Sequence, residues 1–412
     1  MKFRPHNAIS IAPVSWLLGF NVLIFHAAVF WFFLTSRRRG LSLQTLGLLA
    51  YILIYAASLS YALARGEQLE RIIASAYNLS YWILGLMILS SRLILDQDRI
   101  AASSAKVLLF SAAVAVFFLA THGFADLTYN SLLGSALGGV SLPSLVQDSM
   151  KLYIFGVEWA DSDLAIRAKI MAPYPTALAA MVLLLLALAA PKNLHSQRKN
   201  IFYGALLLIG LALTVLTQSR AGLLSLVLFM ALLGATTISS RFSSSQKLSL
   251  LIVIVCLALP LSLAVRQAAS AMWTDAVAYR ESSSSYRFSL YEFGVKHVTT
   301  ESPIIGFGVK HEVPQYKIPV GSHSTFIGAF YKTGILGLAA LVIFWLASVV
   351  RAIRALVTDN DLRRRASSCA FLAMMPFFMF EDVDAPQFVA FLLFLSLYIA
   401  TYSSRQGTGD PL

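Results

Sequence analysis

Three residue placements in this 412-residue chain suit chemistry better than stability: Arg220 in LTVLTQSRAGLLSLVLF, Arg287 in SSSYRFSLYEFG, and His323 in GSHSTFIGAFYKTGILGL. Each stands where an apolar run meets a polar segment. A guanidinium matches phosphate oxygens through two parallel hydrogen bonds, which an ammonium does less well. An imidazole titrating near neutrality accepts a proton from a hydroxyl. The trio therefore reads as anion holders and a base. Arg220 sits between two apolar runs with almost no loop, where a charge is costly unless it snorkels or is paired. Arg287 follows four serines at 282–285 and precedes Phe288, Tyr291 and Phe293, an alternation that suits an amphipathic helix on a membrane surface. On that helix Arg280 and Tyr291 are further substrate-binding candidates, while both arginines equally suit its wet face. His323 is one of seven histidines, and a lone histidine is more often structural; its place just before an apolar run singles it out. His297 and His311 lack such a placement.

Two further groups are weaker candidates. Arg167 precedes an apolar run whose entrance is broken by Pro173 and Pro175, and reads either as a third anion contact or as an interfacial anchor. Glu381, Asp382 and Asp384 form a short acidic turn with no basic residue beside them in sequence; they can bind sugar hydroxyls or a cation, or simply be solvated.

The elements that must position these residues are set by composition. With 58% hydrophobic and 13% charged residues, the chain reads as an all-α polytopic transmembrane bundle, one integral membrane domain over residues 1–412. Apolar runs lie at roughly 11–34, 41–64, 71–90, 107–122, 172–190, 201–217, 221–239, 248–265, 326–350, 366–380 and 386–402, so about eleven or twelve spans are expected. The stretch 131–146 is short and reads as a re-entrant or interfacial segment. The first run is too long for a signal peptide and is followed by Arg37, Arg38 and Arg39, so it is expected to stay as an anchor.

Charge sets the orientation. Strict alternation gathers the basic loops at 37–39, 92–99, 192–199, 241–247 and 351–365 on one side, which carries the whole net charge of +12 and is expected to be cytoplasmic. Residues 266–325 then form a large periplasmic loop with short helices. Alternation also puts the N-terminus outside, against the sign of Lys2 and Arg4. Basic residues in short turns beside spans do not form a nucleic-acid surface. Cys256 and Cys369 have no metal-ligand spacing, and neither a nucleotide fold nor a hydrolase elbow has its motif here.

From Thr217 to about Ala340 the chain resembles the bacterial O-antigen ligase and polymerase family. The resemblance rests on the Ser-Arg junction at 219–220, Arg287 before an aromatic helix, the turn SPIIGFG, and His323 before a Gly-rich helix start. At two points the pattern departs: Ser324 stands where the family usually has Asn, and Pro-Tyr-Pro-Thr where it often has Pro-Asn. The resemblance implies a metal-independent, cofactor-free inverting glycosyltransferase of the inner membrane. Its donor would be a glycan on a polyprenyl diphosphate, and its acceptor either lipid A-core (a ligase) or a second lipid-linked glycan (a polymerase). Arg220 and Arg287 would hold the diphosphate, with 266–325 as the catalytic loop, and His323 would take the acceptor proton. Arg167, Arg280, Tyr291, Glu381 and Asp382 would bind substrate. A lipid or solute transporter is the rival of another class, to be recognised by charged or broken-helix groups at the bilayer midplane.

Overall fold

A computed structural model describes residues 4–138, 150–157, 166–238, 246, 249, 281–313, 318–320, 323–382 and 387–402. Arg280, Asp384 and, apart from residue 249, the run at 248–265 lie outside these residues. The chain is a multi-pass helical membrane protein. Among the described residues, six helices are long and apolar enough to cross a membrane: α3 (Leu43–Ala64), α4 (Leu69–Ser90), α5 (Gln97–His122), α8 (Gln197–Leu216), α9 (Arg220–Ile238) and α11 (Thr325–Thr358). Shorter helices fill the gaps between them: α1 (Pro5–Leu18), α2 (Asn21–Thr35), α7 (Pro175–Leu188), α12 (Leu362–Ala373), α13 (Met375–Phe380) and α14 (Gln387–Tyr402). The segment PTALAAMVLLLLAL of α7 is apolar on every face, and α7 is accordingly buried at every position, ringed by α5, α8, α9, α12 and α14. The most extensive helix pairing is α3 on α11, where Gly47 lets the backbones close: a Cβ there would lie 2.8 Å from the Phe344 nitrogen.

The first apolar run is not one span. Gly19 adopts the left-handed conformation (φ 87°) and splits it into α1 and α2. Ser10 near the start of α1 hydrogen-bonds Ser103 in the first turns of α5 at 2.7 Å, and Asp96 and Arg99 are among the charges that bear on His6. At the other end of α1, Gly19 abuts Ser131. The two helices therefore form a hairpin, and Arg4 lies with the Arg37–Arg39 loop rather than opposite it, which removes the conflict over the N-terminal charges.

Four of the five loops assigned to the basic side, 37–39, 92–99, 192–199 and 351–365, meet at one end of the bundle; apart from residue 246, the loop 241–247 lies outside the described residues. Arg39 and Arg92 backbone nitrogens donate to Ser90 and Arg37 carbonyls at 2.8 Å each, Leu362 donates to the Lys192 carbonyl at 3.1 Å, and Arg363 pairs with Asp98. The opposite end carries a three-stranded antiparallel sheet that the sequence reading did not anticipate, made of β1 (Leu127–Asn130), β2 (Lys151–Val157) and β3 (Ile166–Ala168), with the short helix α6 (Leu132–Ala136) inserted after β1. The same end carries α10 (Glu281–Glu301) and the hairpin β4 (Glu312–Val313) and β5 (Ile318–Pro319).

Candidate functional site

The region before His323 is held by a break in a spanning helix. Gly334, with φ 62° and ψ −163°, interrupts α11, so the bonds from the 335 and 336 nitrogens to the 331 and 332 carbonyls cannot form. The SPIIGFG turn supplies all four groups with partners. Phe307 and Gly308 nitrogens donate to the Tyr331 and Lys332 carbonyls at 3.0 and 2.8 Å, while Ile335 and Leu336 nitrogens donate to the Pro303 and Ile304 carbonyls at 2.9 and 3.3 Å. In a bundle without water each orphan group would cost several kcal/mol, on the order of a lost buried hydrogen bond or more. The turn is anchored in its own right, because the Ser58 and Ser75 hydroxyls donate to the Ile305 and Gly308 carbonyls at 2.6 Å each. A Cβ on Gly308 would lie 2.2 Å from the Ser58 carbonyl oxygen.

His323 is half-buried immediately before α11, whose N-cap is Ser324: its hydroxyl accepts from the Ile327 nitrogen at 3.3 Å. The Tyr291 hydroxyl on α10 donates to the His323 carbonyl at 2.5 Å. Arg287 lies one helical turn before Tyr291 on α10. The inner face of that helix, Leu290, Gly294 and Val298, packs toward Val320 and Tyr331. Its helical conformation agrees with the sequence reading. Its position differs, because α10 is docked over the start of α11 instead of standing alone on a surface.

The acidic turn is drawn into the same place. Both the backbone nitrogen and the hydroxyl of Thr325 donate to the Glu381 carbonyl, at 2.9 and 2.8 Å. Asp382 is only 6% exposed and forms an ion pair with Lys310. A solvated turn is thus excluded for Asp382, whose cation comes from 72 residues away.

Arg167 and Arg220 meet at the junction of α8 and α9. Arg167 on β3 donates through Nε to the Thr217 carbonyl at 2.8 Å and through Nη2 to the Gln218 carbonyl at 3.3 Å, while Gln218 Nε2 returns a bond to the Ile166 carbonyl at 3.4 Å. Thr217 is the C-cap of α8 and Gln218 the residue after it, so Arg167 caps a helix C-terminus, where a cation is favoured. That bonding supports the anchor alternative for Arg167, with the helix end in place of the interface. Arg220 is exposed at the start of α9, behind Ser219, whose hydroxyl accepts from the Gly222 nitrogen at 3.0 Å. The first turn is the end of a helix that disfavours a cation, so helix stability does not account for an arginine there. α9 also packs on α13, which leads directly into Glu381.

Two histidines passed over in the sequence belong to this end as well. His297 and His311 both contact the Tyr331 hydroxyl through Nδ1, at 3.1 and 2.9 Å, and their Nε2 atoms reach Glu301 and Glu67 at 3.0 Å each. Neither spacing nor hydropathy signals the pairing, since Glu67 and His311 are 244 residues apart.

In comparison with known proteins, residues 205–342 match the model of the protein family described as O-antigen ligase, starting somewhat before and ending just after the stretch that carries the motifs. No curated protein matches the chain.

Proposed function

We propose that this chain, whose residues 205–342 match the O-antigen ligase family, belongs to that family and is an inner-membrane glycosyltransferase. It moves a glycan from a polyprenyl diphosphate to an acceptor hydroxyl at the periplasmic face, most simply a hydroxyl of lipid A-core. Arg220 and Arg287 neutralise the departing diphosphate. A preorganised donor at developing charge in a dry site is worth about 3 kcal/mol. His323 takes the acceptor proton as the oxygen attacks the anomeric carbon, with inversion there.

The observation that carries this reading is the bond from Tyr291 to the His323 carbonyl, which ties the helix bearing Arg287 to the loop bearing the base. At the same end α9, which starts at Arg220, reaches the Glu381 turn through α13. Polymerisation of lipid-linked repeats is the alternative within the family. A transporter would draw on the broken helix α11, whose freed backbone groups would serve an ion or substrate. Here all four already bond the 303–308 turn, which favours the enzyme.

The test is transfer by the purified protein from a defined polyprenyl-diphosphate glycan to lipid A-core or to a second lipid-linked glycan. Formation of neither product would sink the reading. Sidedness is checked separately by cysteine labelling: an impermeant reagent added outside should reach positions 281–285 and not 360–364, and the reverse pattern would remove the periplasmic assignment.

A further inference from the structure

Two half-buried arginines at the basic end are held next to each other by neutral groups. Arg351 on α11 donates through Nη1 to the Gln44 side-chain oxygen at 3.1 Å and to the Tyr402 hydroxyl at 2.6 Å. Arg39, in the loop before α3, donates through Nε to the Ser91 carbonyl at 3.1 Å and through Nη2 to the Tyr398 hydroxyl at 2.7 Å. Their guanidinium carbons lie 4.2 Å (Arg39) and 5.2 Å (Arg351) from the centre of the same Tyr402 ring. Among the described residues no carboxylate meets either one, whereas Arg363 and Arg364 at the same end pair with Asp98 and Asp359.

The bonds already made decide what these groups can still bind. Arg351 spends Nη1 on its two partners, and among the described residues nothing accepts from its Nε and Nη2, the side of a guanidinium that grips two oxygens of one phosphate. Arg39 keeps Nη1 in the same way. The fork is also fixed in place. Gln44 has no exposed surface, and its Nε2 donates at 2.8 Å to the hydroxyl of Ser348, one helical turn before Arg351. The level in the membrane selects the ligand. Gln44 is in the first turn of α3 and Tyr402 closes α14, so the pair stands at helix ends, where headgroups lie. Leu43 and Leu46 on α3 and Leu346 and Val350 on α11 are exposed, so acyl chains reach the same two helices. A soluble anion has no use for that apolar surface; a basic pocket between helix ends with apolar surface beside it suits an anionic lipid.

We propose that Arg39 and Arg351, spaced by Tyr402, bind the phosphodiester of one anionic phospholipid at the basic end of the bundle. The lipid joins the 37–39 loop to α11 and α14 at the end remote from His323. It is a structural ligand, and the site stands whether or not the chain transfers glycans. Diffuse attraction of basic loops to an anionic surface depends on how many charges are present and not on which arginine carries them. A fork held by Gln44 depends on the arginine.

The test uses the full-length protein in a neutral detergent, titrated with phosphatidylglycerol, with phosphatidylcholine or with inorganic phosphate. Native mass spectrometry gives the apparent affinity for each lipid, and calorimetry gives the thermal midpoint. Phosphatidylglycerol should bind at least tenfold more tightly than phosphatidylcholine, as a charge-assisted fork implies, and should raise the midpoint by a few degrees; inorganic phosphate should leave the midpoint where it is. Arg351→Lys keeps the charge and loses the fork, and should weaken phosphatidylglycerol about tenfold. Arg39→Gln should do the same with the Gln44 contact intact, which covers the case of a poorly folded Arg351 variant. Arg198→Gln, which removes an exposed charge from the same end, should bind as the wild type does. Equal affinity for the two lipids, or a loss in Arg198→Gln as large as in Arg351→Lys and Arg39→Gln, would overturn the site in favour of diffuse charge. A midpoint raised as far by inorganic phosphate as by phosphatidylglycerol would overturn the lipid and leave a soluble anion in its place.

Discussion

At the basic end of the bundle, three successive arginines at the start of α12 each donate to a carbonyl at the C-terminal end of a different helix. Arg363 reaches Ala190 just past α7 at 3.0 Å, Arg364 reaches Ala400 in α14 at 3.0 Å, and Arg365 reaches Thr236 in α9 at 3.0 Å. Arg363 and Arg364 also pair with Asp98 and Asp359. At the opposite end, Arg220 stands exposed at the N-terminus of α9, and the polar side chains around His323 bond mainly to loop carbonyls. The role of an arginine at a span end follows from what its side chain reaches. Where its side chain reaches the C-terminus of another helix it closes the bundle, as the macrodipole and the orphan carbonyls require, even from the first turn of its own helix; the dipole of α9 does not account for Arg220 at its start. By that criterion Arg167 belongs with the basic-end arginines although it lies at the other end.

The comparison breaks if substitutions at the two ends act alike. The largest expected effect is His323→Ala, which should lower turnover about 10²–10⁴-fold with donor binding retained, since general-base catalysis is typically worth that much. Calorimetry should find its thermal midpoint unchanged. Loss of donor binding would instead make His323 an anion ligand. Next, Arg287→Lys and Arg220→Ala should each cost about 10²–10³-fold in transfer, again without loss of folded protein. Near-normal transfer by Arg287→Lys would reduce that residue to a diffuse surface charge.

At the basic end the signature should invert. Arg365, 5% exposed, should on replacement by Ala destabilise the protein by about 3 kcal/mol, as for a buried charge-assisted network that loses one partner. Transfer per folded molecule should stay normal; a folded Arg365→Ala protein with no activity would contradict the division. The smallest effect is expected from Asp382→Asn, which keeps the shape and leaves Lys310 with a weaker acceptor. A stability loss of about 1–2 kcal/mol, with only a few-fold fall in rate, would sharpen the picture of that turn as scaffold; a fall as large as that of His323→Ala would move it into the chemistry.

The helical bundle and the partition of its basic loops were legible in sequence because hydropathy and charge act locally along the chain. So was the placement of Arg220 and His323 at the starts of spanning helices, which is itself a local fact. Residues whose meaning depends on a distant partner were not. Sequence alone leaves Arg167 between an anion contact and an interfacial anchor because the Thr217 carbonyl it caps is 50 residues away. It leaves Asp382 between sugar binding, cation binding and a solvated turn because Lys310 is 72 residues away, and His297 and His311 looked idle because Tyr331 joins them only after α10 folds back over α11. Gly19 was hidden for another reason: in a long apolar run a single left-handed glycine leaves hydropathy almost untouched while reversing the chain.

The splice between the SPIIGFG turn and α11 also bears on the order of assembly. The turn leaves the ribosome before Tyr331 and Leu336, yet its seat is the surface formed by Ser58 on α3 and Ser75 on α4. An α11 that enters the bilayer before this seat is filled must either run straight through Gly334 or carry four unmatched backbone groups in hydrocarbon. The straight form is the cheaper, so the kink belongs to a late step in which the outer segment docks and the helix opens to receive it. Maturation of the outer end is then coupled to completion of the membrane core, and a nascent chain lacking α3 or α4 has no route to a formed site.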